Sequence, residues 1–152
     1  MQEGDTALDF ELPANDGSVI KLSSFKGQKN VVLCFYPKNH LFACPSKKVF
    51  KMAEATIAAY PKIKELGAEL FAISVDTVPD QKKFVEEYGV PYMHLSDSNK
   101  AASKAYSGLN IAGLAKRSTF VINKEGKVVK IFKDVNAEKH GQEIIQTLES
   151  LK

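Results

Sequence analysis

Val31-Val32-Leu33-Cys34-Phe35-Tyr36-Pro37-Lys38-Asn39-His40-Leu41-Phe42-Ala43-Cys44-Pro45-Ser46 is the stretch on which the reading of this chain turns. Its first six residues form a continuous apolar run, as expected for a central strand covered on both faces. Pro37 ends the run and a short loop follows. From Pro45 onward Val49, Met52, Ala53, Thr56, Ile57 and Tyr60 recur at helical spacing. Cys44 is therefore expected where a helix begins, facing unpaired backbone N–H groups and the positive end of the helix dipole. Both favour thiolate, the reactive form of cysteine, and can lower the thiol pKa well below its free value of about 8.5. Redox or nucleophilic sulfur chemistry is the first function class the sequence raises.

Working outward, Asp9 to Leu12 and Val19 to Leu22 flank Asn15-Asp16-Gly17-Ser18, a β-hairpin pattern. After the long helix, which Pro61 should kink or restart and Gly67 should end, Leu70 to Val75 reads as a second buried strand. A helix from about Pro79 to Tyr88 follows, with Phe84, Val85 and Tyr88 inward and Gly89 as its stop. Tyr92 to Leu95 is a short strand and Asn99 to Tyr106 a short helix. Ser118 to Ile122 and Lys127 to Phe132 flank Asn123-Lys124-Glu125-Gly126, a second hairpin. Ala137 to Leu151 closes the chain as an amphipathic helix with Ile144, Ile145, Leu148 and Leu151 on one side. A βαβ unit feeding a late antiparallel hairpin predicts an α/β fold, a central mixed sheet flanked by helices with an N-terminal β-hairpin. Chemistry in such sheets gathers beyond the carboxyl ends of central strands, where Cys44 falls.

The 152 residues suit a single domain, 1–152, and neither a repeat nor a low-complexity linker suggests a boundary. The formal charge of +3 is spread thinly, and Lys47-Lys48 and Lys82-Lys83 lie in mixed-charge helical patterns. That excludes a nucleic-acid surface as the leading reading. No apolar run reaches membrane-spanning length, and the start shows no signal-peptide pattern, so a cytoplasmic location is expected. Two cysteines without such a signal point to thiols kept for packing or reactivity rather than a disulfide scaffold. No His/Cys/Asp cluster has metal-ligand spacing, so neither a metal nor a cofactor is expected. Ser107 to Gly113, with Gly108 and Gly113, lacks nucleotide fingerprints and reads as a turn.

The chain resembles the peroxiredoxins, most closely the bacterioferritin comigratory (peroxiredoxin Q) group, over nearly its whole length. The resemblance rests on Gly4 to Pro13, Leu22 to Gly27, Phe35-Tyr36-Pro37-Lys38, Leu66 to Glu69, Ile73 to Asp76, Leu95 to Asp97 and Arg117 to Ile122, taken in order. It implies a thioredoxin-like fold and a thiol-dependent peroxidase, in which thiolate attacks a peroxide oxygen and leaves sulfenic acid for reduction. The family pattern Pro-x-x-x-Thr-x-x-Cys plus a distant arginine falls here on Pro37, Cys44 and Arg117. By that resemblance Cys44 is the nucleophile, Pro37 shapes and shields the loop, and Arg117 holds the thiolate and polarises the peroxide. Implied partners are a peroxide and either thioredoxin or a small thiol, with the chain a monomer or homodimer.

The departures cluster at the same site. Leu41 replaces the motif threonine, Phe42-Ala43 replace the usual Pro-Gly, Lys47 stands where a glutamate is common, and Val49 takes the place of a frequent resolving cysteine. Cys34, inside the apolar strand, reads as core packing, with a resolving role as its functional reading. A one-cysteine cycle is the simpler expectation. Two rivals stand beside it: a non-catalytic or weakly active homologue that binds or supports, and a thiol–disulfide oxidoreductase. The latter lacks any Cys-x-x-Cys. His40 reads as a solvated loop residue with general base as its functional alternative, while Tyr36, Phe42, Tyr92 and Tyr106 read as core aromatics or pocket lining.

Overall fold

The computed structural model describes residues 1–38, 45–133 and 139–151, the side chains of residues 45–53 excepted. The chain opens with β1 (Glu11–Pro13) and β2 (Val19–Lys21), paired antiparallel with Leu12 opposite Ile20. Their turn closes because the Asp16 carboxylate accepts from both the backbone N–H and the hydroxyl of Ser18. Gly17 takes the φ of +86° that the turn demands. A 3₁₀ turn (Leu22–Phe25) leads into β3 (Asn30–Phe35), every residue of which is buried.

The helix α1 (Pro45–Glu65), then β4 (Ala68–Ser74), α2 (Val78–Tyr88) and β5 (Met93–Ser96) complete the parallel half. A five-residue helix α3 (Ala101–Ala105) precedes β6 (Ser118–Ile122), β7 (Val128–Lys133) and the last helix α4 (His140–Ser150). The main sheet has the order β5-β4-β3-β6-β7, with β3, β4 and β5 parallel and β6 and β7 antiparallel to their neighbours. The mixed sheet expected from the strand pattern is therefore present.

Alternation along β3 sorts two cores. Val32, Cys34 and Tyr36 face α1, α2 and α4, meeting Ala59, Ile63, Phe84, Ile144 and Leu148. Val31, Leu33 and Phe35 face the other way, against the N-terminal hairpin, α3 and Tyr106. The sheet is thus buried on both sides, the reason β3 reads as an unbroken apolar run.

Pro61 lies inside α1 and does not restart it: the helix runs on to Glu65, and Gly67 (φ +78°) follows as its stop. The turn around it is anchored from outside: Tyr60 donates to Glu69 on β4, and Lys64 pairs with the same carboxylate at 2.9 Å. Tyr36 follows β3 rather than ending it, although its N–H still bonds the Ile73 carbonyl. The expected helix start at Ala137 lies outside the described residues, and α3 is shorter than predicted.

α1 and α4 pack through Gly141. A Cβ built there meets the Ala55 carbonyl oxygen at 2.8 Å and the Ala59 Cβ at 3.1 Å. Gly141→Ala should therefore force the helices apart and cost about 1–3 kcal/mol, read as a lowered urea midpoint. An unchanged midpoint would show that the contact yields easily.

Candidate active site

Because β3 and β4 run parallel, the helix between them must start at the end where β3 finishes. That edge also receives β6, antiparallel to β3, with Ser118 opposite Phe35. Pro37, two residues beyond Phe35, and Arg117, one residue before Ser118, consequently share this edge. Pro45 opens α1 there, and Cys44 is the residue directly before it in sequence. Cys44 itself, with His40, Leu41 and Phe42, lies outside the described residues, as do the side chains of Lys47 and Val49. The fold thus unites Pro37, Arg117 and the start of α1.

Arg117 is half-buried, and its Nη1 is buried with no hydrogen-bond partner among the described residues. Burial pulls its pKa below the usual value by disfavouring the charged form. A guanidinium remains protonated even so, and a buried donor left unmatched costs free energy until an acceptor arrives. The arrangement suits a group whose partner is an anion or a polarised oxygen.

Beneath the same edge lies a buried polar network. The Tyr36 hydroxyl donates to Gln81 Oε1 at 3.0 Å and meets His94 Nδ1 at 2.8 Å. Gln81 Nε2 in turn donates to Ser74 Oγ and the Leu95 carbonyl, both at 2.9 Å, and Ser74 donates to Asp76. These side chains hold together the carboxyl ends of β3, β4 and β5. His94 stacks on Tyr92 with rings 9° from parallel, and desolvation lowers its pKa to about 3. Of this network the sequence reading marked Tyr36 as a core or pocket aromatic, and Ser74, Asp76 and Leu95 only within segments that carry the family resemblance. A glutamine at the inward position of α2 was the one available signal.

Cys34 sits on the α1 and α4 side, 9% exposed and opposite Thr119 in the strand register. Desolvation pushes its thiol up to about 12, against a smaller opposing effect of the Thr119 hydrogen bond. Thr119 Oγ1 also meets His140 Nε2 at 2.7 Å. Burial of this kind favours the protonated thiol over the reactive thiolate. The structure thus sets Cys34 in the packed core, as the apolar run suggested, and supplies two polar neighbours that no spacing pattern revealed.

A model of the AhpC/TSA family matches residues 4–131. The chain belongs to this family and, within it, to the peroxiredoxins of the Bcp and peroxiredoxin Q group. It is 32% identical to peroxiredoxin Bcp of Bacillus subtilis (strain 168), an alignment covering 97% of this chain and 95% of that one. It is 34% identical to the chloroplastic peroxiredoxin Q of Sedum lineare, covering 99% of this chain and 79% of that one. Among solved structures, the peroxidoxin BcpB of Mycobacterium tuberculosis superposes with a TM-score of 0.86 at 31% identity, covering 100% of this chain and 99% of the other. The thioredoxin-like peroxiredoxin fold expected from the sequence is present.

Proposed function

We propose that this chain is a one-cysteine thiol peroxidase acting on hydrogen peroxide or alkyl hydroperoxides, with Cys44 as nucleophile. The observation that carries it is Arg117, a half-buried guanidinium with an unmatched donor at the edge where α1 begins. In the first step the Cys44 thiolate attacks the terminal peroxide oxygen. The O–O bond breaks, sulfenic acid forms, and the leaving alkoxide or hydroxide takes a proton. Arg117 supports both thiolate and developing oxyanion, while Pro37 bounds the loop. One thiol then condenses with the sulfenic acid, releasing water, and a second reduces the mixed disulfide. Thioredoxin or a small thiol supplies these electrons. Among the described residues no helix is long and apolar enough to cross a membrane, which is compatible with the cytoplasmic location proposed here.

The reduced protein should consume peroxide, and Cys44→Ser should abolish that consumption. Equal rates for the two would end the assignment. Cys34→Ala should retain turnover within about twofold, since a thiol held near 12 contributes little thiolate. Loss of turnover with an intact fold would instead make Cys34 the resolving thiol. Leu41 in place of the motif threonine favours a second reading, a weakly active or non-catalytic homologue. Under it Cys44 resists sulfenic-acid trapping at modest peroxide concentration.

A further inference from the structure

Beside Arg117 a cleft of about 330 Å³ opens between α3 and the strands β6 and β7. Tyr106 and Phe120, both buried, line its apolar part. Lys104, Lys116 and Lys133, all exposed, stand around it together with Arg117. Among the described residues no Asp or Glu lines the cleft, and none of these four cations forms an ion pair. Four like charges around a concavity focus a positive field into it, and their mutual repulsion is relieved by an anion. The volume lies at the small end of ligand pockets. Arginine's planar fork matches a carboxylate, and a floor closed by Tyr106 and Phe120, with Ala105 and the lysine stems around it, leaves apolar contact for a small body.

We infer that this cleft binds small carboxylates with an aryl or alkyl body, and so selects the reactant that reaches Arg117. The selection part rests on the peroxidase reading; the binding part does not. The carboxylate arrives either on the hydroperoxide or on the reducing thiol, and the two sources share one recognition chemistry.

Titration of the whole protein with phenylacetate and with neutral phenylacetamide, followed by amide NMR shifts, tests the binding. Phenylacetate should saturate with shifts around Lys116 and Ser118, weaken with added salt, and bind about tenfold or more tighter than the amide. Lys116→Glu and Lys133→Glu, both surface changes, should each remove that preference. Equal binding of acid and amide, or unaltered preference in both variants, overturns the inference. For the source, KM for carboxylate-bearing and neutral aryl hydroperoxides is compared in the two variants, as is that for 3-mercaptopropionate against 2-mercaptoethanol. The pair whose charged member alone rises in KM identifies the anionic reactant, and a rise in neither pair overturns the selection part. Charge-selective binding in a protein without turnover keeps the site and removes the peroxidase reading. Normal turnover without charge selectivity does the reverse.

Discussion

Arg117→Met is expected to lower kcat/KM for peroxide by about a hundredfold or more while leaving the fold intact. Methionine keeps an unbranched apolar stem of similar length, so packing beside β6 changes little. The charge is what disappears, and with it the guanidinium support for a thiolate and a breaking O–O bond, leaving the start of α1 as the remaining source of positive potential. A half-buried cation with an unmatched Nη1 carries a desolvation burden in the resting protein. Its removal should therefore leave the urea midpoint unchanged or slightly higher, separating activity from stability. The Cys44 thiol pKa, read from the pH dependence of alkylation, should rise in the same variant. Arg117→Lys should recover only part of the rate, because a point charge lacks the planar fork. A methionine variant with unaltered kcat/KM and thiol pKa would remove Arg117 from the site.

The largest expected stability effect is acid sensitivity between pH 6.5 and 4. His94 and His140 are 2% and 0% exposed, and desolvation lowers their pKa values to about 3 and about 4. Unfolded, each returns to about 6.5. Within this window the unfolded chain binds more protons than the native one, so stability rises with pH and falls as the medium is acidified. Each histidine contributes up to about 1.4 kcal/mol per pH unit. Together they remove about 6 kcal/mol by pH 4, a large share of a typical domain's stability. Protonated His140 has Glu143 at 3.9 Å as a partner, but it also sits at the start of α4, where the helix dipole opposes positive charge. Asp9, Asp16 and Glu69 have lowered pKa values, so their contribution is lost as pH falls past the unfolded carboxylate values of about 4.3 and 3.9, which adds to the loss at the acid end of this window. Urea unfolding at pH 7 and 4.5 measures the slope, and His94→Gln/His140→Gln should flatten it. Equal stability at both pH values would refute the account.

Much of the architecture was legible because periodicity and turn chemistry agree along the chain. The unbroken apolar run of β3 announced a strand buried on both faces. Asn123 announced its hairpin because its side chain accepts from Glu125 and Lys127, a bond encoded within five residues. Gly89 ended α2 by adopting φ +61°, which few other residues tolerate. Pro61 marked a place where α1 could restart, yet the helix runs on to Glu65, its last turns held by contacts to β4 that sequence spacing does not display. The Tyr36–Gln81–His94 and Cys34–Thr119–His140 groupings were invisible for the same reason: their partners lie 21 to 85 residues apart. Arg117 was found only through family resemblance, since an arginine before a strand is ordinarily a surface cation.

The walling-in of Cys34 bears on oxidative damage. The chain has two cysteines, and Cys34 is packed between the sheet and two helices; on the one-cysteine reading proposed above, an oxidised Cys44 would have no internal thiol to capture it. Its fate becomes a race between incoming reductant and further oxidant, and the second oxidation, to sulfinic acid, is irreversible without dedicated repair. Such a molecule is consumed in proportion to how far oxidant supply outruns thiol supply, which makes its inactivated fraction a cumulative record of past stress.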